Sequence, residues 1–356
     1  MEAKLTHGGD WAGYQAERGD QPLDFSANIS PLGLPEGVRR AAVRALDTAE
    51  RYPDPLCRAL RAAIGEAEGV DPAWVLCGNG AAELIYRVVL AKRPKKALVT
   101  APAFSEYEAA LELAGCRTDR FLLKEEDGFA LNGEFLEAIT PDMDLVFLCQ
   151  PNNPTGRTVP RPLLAAAVER CRAGGGLLVL DECFCGFLDD PDAFSLKDLL
   201  GGHGNLLILK AFTKLYAMAG LRLGYCLCSD AALLDAMGSA GQPWGVSGPA
   251  QAAGVAALKE TDYVEAVRAL IQAQRPRLAA GLERLGFRVV PGQANYLLFW
   301  SPVPLAGPLR ERGILLRDCA NYHGLCEGWY RTAVRTGEEN ARLLAALEDI
   351  VKEGTP

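Results

Sequence analysis

Lys214 lies in the stretch KAFTKLYAMAGLRLGY, residues 210–225, just past the apolar run NLLIL at 205–209. A lysine held among apolar residues loses solvation of its ammonium. Its pKa falls and the amine becomes a nucleophile. A cofactor bearing an aldehyde needs such an amine to form a Schiff base. If that cofactor also bears a phosphate, Thr213 offers a hydroxyl and Arg222 a guanidinium. Taken alone, the same spacing also describes a surface lysine at a strand end.

Three further motifs carry chemistry. Cys77-Gly78-Asn79-Gly80-Ala81-Ala82-Glu83 leads small residues into a helical pattern. Free N–H groups at a helix N-terminus attract phosphate, although an ordinary capped loop reads the same way. Gln150-Pro151-Asn152-Asn153-Pro154-Thr155-Gly156 follows an apolar run and projects two amides from a stiff loop, which could also be a turn and nothing more. Asp181-Glu182 follows another apolar run. A carboxylate there is desolvated unless a cation meets it, and a protonated pyridine nitrogen is such a cation. The competing role for Asp181 is a helix N-cap.

These motifs need a scaffold, and the hydrophobic pattern supplies one. Strands are predicted at 97–100, near 119–123, and at 144–149, 177–180, 206–209 and 223–228, with helices at 81–90, 105–114 and 161–172. Apolar runs separated by amphipathic helices predict an α/β fold, with a mostly parallel sheet covered by helices on both faces. Ligands in such sheets bind at the carboxyl ends of the strands, where the four motifs fall. After Gly245 the texture changes. Helices at 247–259 and 262–285, short strands at 287–290, 295–300 and 330–334, and a helix at 338–351 predict a smaller α+β unit. Residues 1–35 are polar and turn-rich, and Pro35 opens a helix over 36–46. The organisation read from this is an arm at 1–45 packing on the smaller unit, a large unit at 46–245 and a small unit at 246–356.

The chain has 356 residues, 49% hydrophobic and 23% charged, with net charge −8. That balance argues against nucleic acid as a partner. No apolar run approaches a membrane span, and MEAKLTHGGDWAGY has no hydrophobic signal core. The expectation is a cytoplasmic protein with no membrane partner. Eleven cysteines include the C-x-C pairs Cys183/Cys185 and Cys226/Cys228, but no C-x-x-C. Free thiols in a reducing compartment are expected, and no metal.

Together the motifs resemble the fold-type I pyridoxal-phosphate enzymes of the aspartate aminotransferase superfamily. Asn153-Pro154-Thr155-Gly156, Asp181, Lys214 and Arg222 carry the resemblance, which extends over essentially the whole chain. It implies pyridoxal 5'-phosphate as cofactor, with Lys214 as the Schiff-base lysine and Asp181 on the pyridine nitrogen. Asn153 would bond the ring's 3-oxygen and Phe104 would stack on the ring. Gly80, Ala81, Thr213 and Arg222 would hold the phosphate. Tyr52, in Arg51-Tyr52-Pro53-Asp54, resembles a tyrosine that reaches a neighbouring subunit's cofactor, which implies a homodimer with shared sites. One departure is Phe184, where many aminotransferases place a tyrosine whose hydroxyl bonds the 3-oxygen. Its absence should raise the basicity of the Schiff base.

Within the superfamily the chain is similar to histidinol-phosphate aminotransferases, and closer to the threonine-phosphate decarboxylases of cobalamin side-chain synthesis. The stretches that carry this are His7-Gly8-Gly9, Asp24-Phe25-Ser26-Ala27-Asn28-Ile29-Ser30-Pro31, Asp181-Glu182-Cys183-Phe184, Pro291-Gly292-Gln293-Ala294-Asn295-Tyr296, Cys319-Ala320-Asn321-Tyr322 and Arg331-Thr332-Ala333-Val334-Arg335. Where this chain has Ser30, the decarboxylases have Asn. The resemblance implies decarboxylation of a small phosphorylated amino acid, O-phospho-L-threonine, with Lys214 reprotonating Cα. Arg331 would grip the carboxylate. Arg317, Arg335 and His7 would gather the phosphate, and Ser30 and Asn153 would complete the substrate contacts. The alternatives are a histidinol-phosphate-type aminotransferase, the same decarboxylation on O-phospho-L-serine, and a catalytically silent cofactor-binding regulator.

Overall fold

The computed structural model describes residues 7–353. The strands in chain order are β1 (Leu23–Asp24), β2 (Val75–Gly78), β3 (Lys96–Ala101), β4 (Arg117–Leu122), β5 (Leu145–Cys149), β6 (Leu177–Asp181), β7 (Leu206–Ala211), β8 (Gly224–Leu227), β9 (Arg288–Val289), β10 (Tyr296–Trp300), β11 (Ile314–Leu315), β12 (Arg317–Asp318) and β13 (Trp329–Ala333). Seven of them form the central sheet, in the order β2-β8-β7-β6-β5-β3-β4. Strands β3 to β7 run parallel. Their alternate residues feed two cores. Val146, Leu148, Leu178 and Leu180 pack with Leu164 and Val168 of helix Arg161–Gly174. Leu145, Phe147 and Val179 pack with Leu84, Ile85 and Val88 of helix Ala81–Lys92. Burial on both faces is why β5 and β6 read as unbroken apolar runs.

Strand β8 is antiparallel to both β7 and β2. A parallel return would need a crossover to the opposite edge of the sheet. The antiparallel return instead keeps residues 212–223, with Lys214 and Arg222, at the carboxyl edge of β7. The sequence pattern did not show this reversal, because an apolar run has no direction.

A second, antiparallel sheet has the order β12-β13-β10-β9. Helices Thr261–Arg284 and Gly337–Glu353 pack beside it through Ile271, Leu278, Leu343 and Leu347. Strand β1 pairs in parallel with β11, so the N-terminal segment is stitched to this part of the chain. The segment also holds a helix, Trp11–Arg18, that the sequence reading passed over. Asp10 caps it by accepting from Gly13 N at 3.1 Å, and Gly19 ends it at φ +80°. Among the described residues no helix is long and apolar enough to cross a membrane. Every cysteine is free, and all but Cys183 and Cys326 are buried.

Candidate active site

The carboxyl ends of β5, β6 and β7, the N-terminus of helix Ala81–Lys92, and β12 and β13 of the second sheet surround one cavity of ≈ 370 Å³. His7, Ala81, Phe104, Asn153, Asp181, Thr213, Lys214, Arg222, Arg317 and Arg331 all line it. Residues up to 324 positions apart in the chain thus meet through the topology just described.

Lys214 follows β7 in the short helix Phe212–Leu215. Burial, then the guanidinium of Arg331, pulls its pKa down from 10.5 to about 8. The unfolded chain keeps that proton up to about 10.5, so between about 8 and 10.5 it binds more protons than the folded one. Below about 8 the burial cost is present in full, and it is relieved as pH rises through that window. The cofactor-free variant Lys214→Met should therefore be more stable than cofactor-free wild type at pH 7, by ~2–3 kcal/mol. The gap should close toward pH 10.5, which denaturant melts at several pH values will read. A gap independent of pH would refute the assignment.

Asp181, at the end of β6, is buried. Its Oδ2 accepts from the Tyr107 hydroxyl at 2.6 Å and its Oδ1 from Cys183 N at 2.9 Å. Asp181 also lines the cavity. Tyr107 is fixed in turn by stacking on Phe147 at 4.8 Å, and it meets Phe104 edge-on at 5.7 Å. Burial, then the Asp181 charge, raises the Tyr107 pKa, so its hydroxyl stays a donor.

Asn153 Oδ1 lies 2.5 Å from Arg331 Nη1. A guanidinium only donates, so the facing amide atom is the oxygen and Nδ2 is left as the donor for the cavity. The loop that presents Asn153 is closed by Gly156 N donating to Asn152 O at 2.7 Å and clasped by the Tyr296 hydroxyl on Asn152 O at 2.9 Å. Across the second sheet, Arg317 on β12 is the direct partner of Arg331 on β13. Both are buried. Two like charges opposite one another repel, and an anion between them removes that cost.

At the other end of the cavity, helix Ala81–Lys92 begins with no side-chain cap, so its first N–H groups face an open corner. Arg222 adds its guanidinium there. A Cβ on Gly80, at φ +85°, would lie 2.6 Å from Arg222 Nη2. A Cβ on Gly224 would lie 2.4 Å from Ala81 N. Both positions are glycine because the backbone and the guanidinium approach so closely.

The family described as "Aminotransferase class I and II" matches residues 20–347. The chain belongs to this family. It is 41% identical over 338 residues to a threonine-phosphate decarboxylase of Salmonella typhimurium, covering 93% of this chain and 92% of the relative. It is 34% identical to a histidinol-phosphate aminotransferase of Symbiobacterium thermophilum, covering 93% and 91%. Among solved structures, the histidinol-phosphate aminotransferase of Clostridium acetobutylicum superposes with a TM-score of 0.87 at 27% identity, covering 93% of this chain and 99% of that one.

The cofactor of these class I and II enzymes is pyridoxal 5'-phosphate, and the cavity fits it. A buried amine of lowered pKa shares the cavity with a buried carboxylate, and an uncapped helix start with a guanidinium forms an anion corner. Three residues expected at the site stand elsewhere. Gly80 does not line the cavity but backs Arg222. Ser30 is turned away, its hydroxyl 2.7 Å from that of Tyr263. Arg335 was expected at the substrate phosphate; its guanidinium is instead bonded to Glu339 at 2.6 Å and to Asp24 O at 3.1 Å, because the helix Gly337–Glu353 begins there. Tyr52, expected at a neighbouring subunit's cofactor, is 78% exposed and stacked on Trp244 at 4.5 Å, outside the cavity of its own chain.

The structure adds residues the sequence reading did not select. Tyr107 orients Asp181, and Glu106 lies 2.7 Å from His7 Nε2 at the cavity mouth. Asn28 lines the cavity at 1% exposure with both side-chain amide atoms unpartnered. The signal for Asn28 was in the Ser-Ala-Asn stretch, but one-dimensional spacing did not tell it from Ser30. Among the described residues no group of three or more His, Cys, Asp or Glu side chains is placed to hold a metal.

Proposed function

We propose that this chain decarboxylates O-phospho-L-threonine to (R)-1-aminopropan-2-yl phosphate, the side-chain precursor of the cobalamin nucleotide loop. The observation that carries this reading is the facing pair Arg317 and Arg331 on the cavity that holds Lys214, in a chain so similar to a threonine-phosphate decarboxylase. A substrate with both a carboxylate and a phosphate answers two guanidiniums.

When bound, pyridoxal phosphate draws electrons from the bonds of the carbon that carries the amine. The chain's own residues do the rest. Lys214 would hold the cofactor covalently and, once the substrate amine takes its place, return a proton to Cα. Asp181, backed by Tyr107, would keep the ring nitrogen protonated. Asn153 Nδ2 would hold the 3-oxygen and Phe104 would cover the ring. The first N–H groups of helix Ala81–Lys92, with Thr213 and Arg222, would take the cofactor phosphate, and Gly80 would give Arg222 its room. Arg331 would grip the carboxylate, with Arg317 and His7 on the substrate phosphate and Asn28 between them. The exposed Tyr52 would serve a second copy, making a homodimer with shared sites. In this reading the arm (1–45) packs on the small unit (246–356), beside the large unit (46–245), and the β1–β11 pairing supports that packing. A cytoplasmic location accords with this biosynthetic role.

The decisive assay is incubation with pyridoxal phosphate and O-phospho-L-threonine, without keto acid. Release of CO2 and aminopropanol phosphate is the expected result. No CO2, but amino transfer from histidinol phosphate to 2-oxoglutarate, would establish the second reading, which the similarity to histidinol-phosphate aminotransferases favours. O-Phospho-L-serine lacks one methyl, which discriminates by only ~1–3 kcal/mol, so slower turnover of it is expected as well.

A further inference from the structure

Asp24 lies outside the contacts assigned above, yet four donors converge on its carboxylate. It is 4% exposed. Oδ1 accepts from Ser26 N at 2.7 Å, from the Ser26 hydroxyl at 2.6 Å and from Ala27 N at 3.3 Å. Oδ2 accepts from Trp11 Nε1 at 2.7 Å. The turn held in this way touches the cavity at three points. Ser26 O accepts from Arg331 Nη2 at 2.8 Å, Asn28 presents its unpartnered amide, and Ser30 N donates to Lys214 O at 2.9 Å. The N-terminal segment docks on the same turn. Gly9 N donates to the Ser26 hydroxyl at 2.8 Å, and a Cβ on Gly8 would lie 2.3 Å from Ser26 O. His7, next to Gly8, is thereby set at the cavity mouth.

We infer that Asp24 is the positioning residue for substrate recognition: its carboxylate holds the Ser26–Asn28 turn that seats the Arg331 guanidinium and docks the segment bearing His7. This rests on the reading that Arg331 receives a substrate anion. Ser26 O leaves Arg331 one fixed direction, and Asn153 Oδ1 fixes the other Nη atom. Without the carboxylate, Ser26 and Trp11 compete for a single amide oxygen, and the turn loosens at both ends.

The test is steady-state kinetics of the full chain with pyridoxal phosphate and O-phospho-L-threonine, together with the absorbance of the bound cofactor. Asp24→Asn should raise KM about tenfold or more, the scale of losing hydrogen bonds to a charged group. Its kcat should stay within about threefold of wild type and the bound cofactor should be retained, since the turn meets Lys214 only through the backbone bond from Ser30 N to Lys214 O and makes no bond to the cofactor corner at helix Ala81–Lys92. Trp11→Phe removes one of the four bonds and should move KM the same way by a smaller factor. An unchanged KM in folded Asp24→Asn overturns the inference, as does a fall in kcat with loss of bound cofactor, the mark of general damage. If Asp24→Asn does not fold, an unchanged KM in Trp11→Phe overturns it equally. A wild type inert toward O-phospho-L-threonine strikes the functional reading instead. The same two variants then decide the inference through their KM for histidinol phosphate.

Discussion

Replacing Lys214 by alanine is expected to lower turnover by ~10³-fold or more while leaving a protein that still takes up pyridoxal phosphate. The proton transfer it would perform accounts for ~10²–10⁴ alone. The loss of covalent attachment adds to that. Retention of the cofactor follows from geometry, because Asp181, Asn153, Arg222 and the start of helix Ala81–Lys92 are separate from the lysine and stay in place. Borohydride treatment supplies a second readout. It should fix the cofactor to wild type and leave none on Lys214→Ala. Turnover near the wild-type rate, or cofactor fixed to the variant, would remove Lys214 from its assigned role. The low pKa is part of the same argument, since an amine titrating at about 8 is partly neutral at physiological pH.

Asp181→Asn should lower kcat by ~10²–10³-fold, the cost of losing one member of a buried charge pair. The substitution preserves shape and the acceptor for one neighbour, so the loss is electrostatic. Tyr107→Phe removes one hydrogen bond to the carboxylate and should cost only about tenfold. The order of the two effects separates a charge role from a packing role. If Tyr107→Phe were as damaging as Asp181→Asn, the tyrosine would be acting directly and not through the carboxylate. The absorbance of the bound cofactor gives a check independent of turnover, because it follows the protonation of the ring nitrogen that Asp181 would control.

Much of the architecture was legible in one dimension, and the reasons are local. β5 and β6 are buried on both faces, so LVFLC and LLVL are unbroken apolar runs, and their shortness marks them as strands rather than helices. Helices Arg161–Gly174 and Gly337–Glu353 announce themselves by amphipathic spacing. The helix Trp11–Arg18 was missed because its one buried residue, Tyr14, leaves no apolar stripe to see. The direction of β8 was invisible for a different reason, since strand polarity depends on pairing partners and not on composition.

The site divides in the same way. Lys214, Asp181, Asn153 and Arg222 could be picked out because each stands at or beside a strand end with a residue type unusual in that position. The arginines could not be sorted by spacing. Arg331 and Arg335 are four residues apart, yet Arg331 lies on β13 facing the cavity and Arg335 lies past the strand end beside Glu339. Ser30 and Asn28 are two apart, and their side chains meet Tyr263 and the cavity respectively. The amino-acid order by itself determined the family, the cofactor's chemistry and the scaffold, because these depend on residue types at strand ends and on hydrophobic period. Only the tertiary structure decided which cations share a cavity, that Tyr107 backs Asp181 and that Asp24 gathers four donors, because those contacts join segments whose separation along the chain carries no information about their separation in space.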